Sequence, residues 1–200
     1  QTPNHLQMGR YPTCMSKLIL GFVGQLASGK GTATEYLKKQ HNANTYRFSS
    51  MLRDIADRLY LEQNRNNLQK ISRVIRENFS EDILSKVIAQ DAAQDTNDLV
   101  VIDGIRRPAD IEHLSKIPGF ILVHIFADIE KRFDRITSRG ENTDDNQKTF
   151  EQFQQDHKNE AELLIGDIAT QAIEEIDNNG TTDDLHTTLD ALMKKYKSTT

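Results

Sequence analysis

The chain has 200 residues, of which 36% are hydrophobic and 28% are charged, and its formal net charge is −5 at pH 7. This length suits one domain with a sizeable core, and no stretch reaches the roughly 20 apolar residues of a membrane span. The acidic balance argues against an extended nucleic-acid surface, which gains affinity from many cations. The single cysteine, Cys14, cannot form an intrachain disulfide, so the composition favours a cytoplasmic protein.

Residues 1–16 contain two prolines and many polar side chains, without the apolar core of a secretory signal. We interpret this segment as a flexible lead or a remnant of expression. Residues 17–200 are then expected to form the folded domain.

Residues 18–32 have the pattern of a strand that turns through a glycine-framed loop into a helix. Leu18–Val23 is short and apolar, as in a parallel strand covered on both faces. Gly24 and the Gly29-Lys30 pair then follow the Walker A spacing. Glycines let backbone N–H groups point at phosphate oxygens, and the lysine supplies an ammonium for the β- and γ-phosphates. We therefore predict a phosphate-binding loop that comprises Gly24, Ala27, Ser28, Gly29, Lys30, Gly31 and Thr32.

Helical periodicity predicts three helices between the second and third strands. The phosphate-binding loop is followed by a predicted helix over 32–40 and a predicted strand over 44–48. Ser49 or Ser50 is the expected cap of a helix over 51–60. Further helices are expected over 68–77 and 80–94. A crossover between parallel strands needs only one helix. We therefore interpret residues 49–95 as a helical insertion that could clamp a second substrate.

Asp98–Asp103 is an apolar strand that ends in a carboxylate. This is the Walker B arrangement, in which the acid holds Mg²⁺ directly or through water. The alternative is that Asp103 caps the following helix. Arg106 and Arg107 come next, near the carboxyl end of a strand, where open α/β sheets bind ligands.

The remaining chain predicts helices over 109–116, 128–140, 148–165 and 183–195, strands over 119–126 and 172–176, and a polar lid over 140–147. Arg132, Arg135 and Arg139 share one face of the helix over 128–140, which either meets phosphate or is a solvated basic face. His124 is expected to be a satisfied histidine in its strand. Five strands with crossover helices predict a doubly wound α/β sandwich.

Four motifs in this order resemble those of adenylate kinases and other nucleoside monophosphate kinases. They are Gly29-Lys-Gly-Thr32, Ser49-Ser-Met-Leu-Arg53, Asp103-Gly-Ile-Arg-Arg107 and Asp134-Arg-Ile-Thr-Ser-Arg139. Residues 173–192 are also similar to the C-terminal portion of dephospho-CoA kinases. The resemblance implies a P-loop NTPase three-layer α/β/α sandwich with a five-stranded parallel sheet, a helical acceptor-binding insertion and a short lid.

The resemblance also implies a role for each motif residue. Arg53 and Arg107 would bind the acceptor phosphate, and Thr32 and Asp103 would organise Mg²⁺. The residues expected to act on the transferring phosphoryl group are Lys30, Asp103, Arg107, Arg135 and Arg139.

The expected activity is transfer of the γ-phosphoryl group of ATP to a small nucleotide, most simply a nucleoside or deoxynucleoside monophosphate. Dephospho-CoA is an alternative acceptor, whose sugar hydroxyl would need Asp54 or Asp103 as a base. A P-loop ATPase switch that acts with a protein or RNA partner is the competing class. Arg53 and Arg107 favour the kinase, because a simple hydrolase has no second phosphate to bind. Membrane association is not expected.

Overall fold

The computed structural model describes residues 17–139, 149–156 and 160–197. The strands are β1 Leu18–Val23, β2 Asn44–Arg47, β3 Leu99–Ile105, β4 Phe120–Phe126 and β5 Glu174–Asp177. They form one sheet in the order β2-β3-β1-β4-β5. The helices are α1 Lys30–His41, α2 Phe48–Arg58, α3 Arg65–Asn78, α4 Ile83–Gln94, α5 Pro108–Ile111, α6 Ile129–Arg139, α7 Phe150–Asp156, α8 Glu160–Ala169 and α9 Thr182–Lys197. All strand pairings are parallel, so the carboxyl ends of the strands share one edge.

Apolar cores lie on both faces of the sheet. Side chains alternate between the faces along a strand. In β1, Ile19 and Val23 join the core that contains residues of α2, α4 and α8, whereas Leu20 and Phe22 join the core beneath α1 and α9. Burial on both faces explains the continuous apolar run of β1, and it confirms the predicted three-layer architecture with a five-stranded parallel sheet.

Helices α2, α3 and α4 fill the segment between β2 and β3, as predicted for the insertion. The predicted cap by Ser49 or Ser50 is wrong, because α2 begins at Phe48 and both serines lie in its first turn. Phe48 is only 6% exposed and packs in the core. Core packing therefore starts this helix earlier than the capping pattern indicates.

Core packing also extends one strand and one helix beyond their predicted ends. Strand β3 continues past Asp103 to Ile105, which is fully buried and lies in register with Val23. Helix α8 continues to Ala169, past the predicted end of the helix at residue 165, because Ile168 is also fully buried.

Three further elements differ in extent from the sequence-based predictions. The helix expected over 109–116 is the short α5 followed by a 3₁₀ turn, Leu114–Lys116. The fifth strand lies at Glu174–Asp177 rather than over 172–176. Within the helix expected over 148–165, the structure describes α7 from Phe150 and α8 to Ala169, and residues 157–159 lie outside the described residues.

The predicted lead over 1–16 and the predicted lid over 140–147 lie outside the described residues. Among the helices that are described, none has both the length and the apolar character needed to cross a membrane.

Candidate phosphate-binding site

The loop between β1 and α1 has a compact backbone that depends on glycine. Gly24, Ala27 and Gly29 adopt positive φ angles of 156°, 60° and 106°. A Cβ atom at Gly24 would lie 2.1 Å from the carbonyl oxygen of Ile125, and one at Gly29 would lie 2.0 Å from Nδ2 of Asn178. Position 24 therefore requires glycine because a Cβ atom would clash with backbone, and the φ angle of 106° favours glycine at position 29.

Lys30 is the first residue of α1, and its side chain folds back over the loop. Its Nζ atom donates to the carbonyl oxygens of Gly24, at 2.5 Å, and Gln25, at 2.9 Å. Phosphate oxygens are charged acceptors and bind an ammonium more strongly than neutral carbonyls do. The N-terminal end of α1 adds further preference for an anion at this position.

Asn178 joins the loop to helix α6. Its side-chain Nδ2 atom donates to the backbone carbonyl oxygen of Ser28 at 2.8 Å. Its backbone carbonyl oxygen accepts a hydrogen bond from Nη2 of Arg135, also at 2.8 Å. The Nη1 atom of Arg135 is buried and has no hydrogen-bond partner among the described residues. The structure therefore links Arg135 to the phosphate loop, with one of its donors unused by the described part of the protein.

Arg132, one turn earlier on α6, supports the same loop from inside the protein. It is 3% exposed, and it donates from Nε to Ala127 at 2.9 Å and from Nη1 to Leu26 at 3.3 Å. Its guanidinium also lies 5.8 Å from the ring centroid of Phe153. Burial excludes the solvated basic face for Arg132. The side chain of Arg139, which was expected on this face, lies outside the described residues.

Asp103 pairs with Arg47, an arginine that belongs to none of the four sequence motifs. Its Oδ2 atom lies 3.0 Å from Nη2 of Arg47, and the side chains are 9% and 47% exposed, respectively. Arg47 ends β2 and lies in register with Asp103 in the neighbouring parallel strand. The last residue of such a strand lies at the ligand-binding edge, and that position was the available signal for Arg47.

The residues present do not fit direct coordination of Mg²⁺ in this arrangement. Gly31 follows Lys30 where the usual Walker A pattern has a hydroxyl side chain, and Thr32 is exposed. The carboxylate of Asp103 already binds the Arg47 guanidinium. Magnesium requires a near-octahedral set of oxygen ligands, and a guanidinium repels a dication. The involvement of Thr32 and Asp103 through water stays a prediction.

Arg107 lies at the start of α5 and contacts the insertion. Its guanidinium is 2.9 Å from Oε1 of Glu81, and its side chain is 47% exposed. The Oδ2 atom of Asp110 accepts the backbone N–H groups of Arg106, at 2.9 Å, and Arg107, at 3.0 Å. The alternative that Asp103 caps this helix is wrong, because Asp110 forms the capping box.

Arg53 lies on the exposed side of α2. Its Nη1 atom donates to Oε1 of Gln63 at 3.0 Å, and Gln63 in turn donates to Asp57. A neutral partner orients the guanidinium without neutralising its charge. Arg53 and Arg107 thus contact residues of the insertion, whereas Lys30 contacts the phosphate loop and Arg135 is joined to that loop through Asn178.

A cleft of about 470 Å³ opens beside Gln25, between the carboxyl end of β4 and helix α8. The Nδ1 atom of His124 in this cleft lies 3.5 Å from Oε1 of Glu175. This neighbour agrees with the prediction of a satisfied histidine. The cleft provides a partly apolar volume next to the phosphate loop, and its remaining lining residues are Phe126, Ala127, Ile165, Gly166, Ala169 and Thr170.

The parallel sheet, the glycine-dependent loop and its lysine define a P-loop nucleotide-binding protein with a kinase-like α/β fold. Residues 23–154 match the family model described as an AAA domain. A UPF0200 protein of Methanosarcina mazei is 30% identical over 167 residues, which cover 82% of this chain and 87% of that protein. The UPF0200 protein Mbar_A0975 of Methanosarcina barkeri is 29% identical over 165 residues, with the same shares covered. The chain therefore belongs to the AAA domain family and to the UPF0200 protein family.

Solved structures support the fold at low sequence identity. TT1252 from Thermus thermophilus has a TM-score of 0.58 and 14% identity, over 90% of this chain and 98% of that one. A shikimate kinase from Acinetobacter baumannii, in complex with shikimate, has a TM-score of 0.54 and 14% identity, over 92% and 96%. At these identities the likeness establishes the kinase-like fold alone.

Proposed function

We propose that the protein is an ATP-dependent phosphotransferase that moves the γ-phosphoryl group to a small nucleotide acceptor. The observation that carries the proposal is the division of its cations into two sets. Lys30 contacts the phosphate loop directly and Arg135 is joined to it through Asn178, whereas Arg53 and Arg107 contact residues of the insertion. Two anionic substrates need separate cationic sites if they are to meet despite their mutual repulsion.

In phosphoryl transfer the protein mainly positions the substrates and stabilises charge, because the charge of the transition state is spread over three equatorial oxygens. Lys30 would exchange two carbonyl acceptors for the donor's terminal phosphates. Arg135 donates from Nη2 to the backbone carbonyl oxygen of Asn178, and its Nη1 atom, which is buried, has no hydrogen-bond partner among the described residues. We assign Nη1 to the transferring phosphoryl group, which requires the side chain to turn towards the bound donor. These groups would stabilise charge on the transferring phosphoryl group, and Arg139 is proposed to join them.

The proposed acceptor is a nucleoside or deoxynucleoside monophosphate. Arg53 has a neutral partner and Arg107 a half-exposed carboxylate partner, so both guanidinium groups keep the capacity to bind an external phosphate. The resemblance of these positions to nucleoside monophosphate kinases supports the assignment. Dephospho-CoA remains the alternative acceptor, with the exposed carboxylate of Asp54 beside Arg53 as the candidate base.

A second candidate is a partner-stimulated ATPase, favoured by exposed apolar side chains on the insertion. Tyr60 is 90% exposed, Phe79 is 76% exposed and Leu59 is 58% exposed. Large exposed apolar groups are common at protein interfaces. A macromolecular partner that covers this surface would make the chain a switch rather than a small-molecule kinase.

A product assay separates the two functions. The full chain is incubated with Mg-ATP and a panel of nucleoside monophosphates, deoxynucleoside monophosphates and dephospho-CoA, and the products are resolved by mass. A kinase forms a phosphorylated acceptor in stoichiometry with ADP. Free phosphate as the sole product, with stimulation by a protein or RNA, would overturn the proposal.

Two lysine variants provide the matched control. Lys30→Ala should lower transfer by about a hundredfold or more, by analogy with the loss of other transition-state contacts. Lys38→Ala removes the same charge from the exposed side of the same helix and should leave turnover unchanged. Equal turnover in both variants would remove Lys30 from the site.

A further inference from the structure

We propose that Arg47, held by Asp103, is a binding residue for the β- and γ-phosphates of the donor. It would supply a protein cation at the position where Walker-type sites hold Mg²⁺ between a hydroxyl residue and an aspartate. The inference deepens the proposed function and rests on it, because it requires a polyphosphate donor on the loop. Asp103 and the residues after Lys30 fit an arginine partner better than direct metal coordination.

Two glycines lie beside the Arg47 side chain. A Cβ atom on Gly104 would lie 3.7 Å from Cγ of Arg47, and one on Gly31 would lie 4.0 Å from its Nη2 atom. The stem of Arg47 thus runs along β3, and its guanidinium reaches the first turn of α1. A serine or threonine at position 31 would add a further heavy atom beside this guanidinium. The Arg47 guanidinium therefore lies beside the helix turn that carries Lys30.

The ion pair orients the arginine and leaves most of its donors available. The Asp103 side chain is nearly buried, and the structure pairs its Oδ2 atom with a single nitrogen, Nη2, of Arg47. A guanidinium has five N–H donors in a planar fork that matches phosphate oxygens. Because the Arg47 side chain is 47% exposed at the ligand-binding edge, its other donors can meet phosphate while Asp103 holds the fork in place.

Equilibrium binding of ATP tests this assignment without relying on turnover. Affinity is measured for the full chain with excess Mg²⁺ and again with excess chelator. We expect the wild type to lose no more than about threefold on chelation, because a protein cation is already present. Arg47→Met should lose about tenfold or more without metal, the amount that one charge-assisted contact of about 1.4 kcal/mol provides.

Further variants separate charge at the site from charge in general. Arg47→Lys should recover part of the metal-free affinity, since it keeps a positive charge but loses the planar fork. Arg73→Met removes an arginine from the exposed side of α3 and should bind ATP as the wild type does. Thermal unfolding of each variant confirms that the comparison is made on folded protein.

Manganese binding in the presence of ATP distinguishes the two roles of Asp103. In the proposed arrangement, Asp103→Asn weakens metal-free ATP binding through Arg47 but leaves the affinity for Mn²⁺, followed by electron paramagnetic resonance, nearly unchanged. Loss of Mn²⁺ affinity in Asp103→Asn, with unchanged metal-free ATP affinity in Arg47→Met, would overturn the inference and leave the kinase proposal intact. Failure of the wild type to bind ATP under either condition would overturn both.

Discussion

Arg76 of α3 and Asp110 of α5 form an ion pair that is 2.8 Å long and almost fully buried. The second carboxylate oxygen of Asp110 accepts the backbone N–H groups of Arg106 and Arg107. One carboxylate thus fixes the turn that carries Arg107 and attaches it to the helical insertion. The position of a proposed acceptor-binding arginine depends on a side chain that is itself inaccessible to the acceptor.

Asp110→Ala should lower the free energy of unfolding by about 3–5 kcal/mol, because it leaves the Arg76 guanidinium buried without a counter-charge. The double variant Arg76→Met with Asp110→Leu should recover a large part of this loss. Urea unfolding measures both. Lys86→Met breaks a pair with Asp82 in which the lysine is 48% exposed, and it should cost less than about 1 kcal/mol because Asp82 keeps its contact with His113. An Asp110→Ala variant as stable as Lys86→Met would contradict the prediction.

Arg53 and Arg135 should affect different kinetic constants. With saturating ATP, Arg53→Ala should chiefly raise the KM for the acceptor, because its guanidinium is assigned to the acceptor phosphate. Arg135→Ala should chiefly lower kcat, since its contact is assigned to the transferring group, and Arg139→Ala should behave in the same way. Steady-state kinetics with varied acceptor concentration measure the split.

Arg58→Ala is the control for Arg53, because Arg58 is an exposed residue at the end of the same helix. Its kinetics should match those of the wild type. If Arg53→Ala impaired ATP binding and left the acceptor kinetics unchanged, the division between donor and acceptor cations would be incorrect.

Asn178→Ala should weaken ATP binding without disrupting the sheet. It removes the donor to the Ser28 carbonyl, a buried hydrogen bond whose loss costs about 1–2 kcal/mol, and it frees one end of the loop. Isothermal titration measures ATP affinity, and urea unfolding measures stability. Asn179→Ala is the control, because the side chain of Asn179 accepts a hydrogen bond from the backbone N–H of Asp128 and makes none to the loop within the described part of the chain. This variant should leave ATP affinity unchanged.

Tyr46 makes stability sensitive to alkaline pH. Burial and the hydrogen bond to Asp95 raise the pKa of its phenol from 10.0 to about 12. The folded state therefore holds this proton more tightly than the unfolded state does. Its stabilising contribution is complete below pH 10 and is lost as the pH rises towards 12.

Urea unfolding of the wild type and Tyr46→Phe at increasing pH tests this linkage. The stability advantage of the wild type should shrink across the interval from pH 10 to 12, since phenylalanine has no proton to lose. Comparison at equal pH removes the effects of the other titrating groups. A constant difference between the two proteins would contradict the assignment.

The fold followed from patterns that act over short distances in the sequence. The apolar run of β1, the glycine-framed loop and the apolar helix faces can each be recognised from neighbouring residues alone. Parallel strands separated by helices then allow few topologies for the sheet. Boundaries were less predictable where distant packing decides them. Phe48 lengthens α2 and Ile105 lengthens β3, because each fills a core space made by residues far away in the chain.

The residues of the site were predictable where a sequence motif or the end of a strand marked them. Lys30 and Asp103 stand in recognisable spacings, but Arg47 and Asn178 do not. The contact of Asn178 with Ser28 joins residues 150 positions apart, and the pair between Arg47 and Asp103 exists because β2 lies beside β3. Strand order is a property of the whole fold, so no local pattern could have paired these side chains.

The separation of the two cores by the sheet has a consequence for how this protein can change. Helix α1, which carries Lys30, and α9, which follows Asn178, pack on one face, whereas α2 and α4 of the insertion pack on the other. Substitutions on opposite faces share few neighbours, so their effects on stability should add. Substitutions in the insertion could therefore change the substrate that is accepted, in evolution or by design, without altering the core beneath α1 and α9 that supports the phosphate loop.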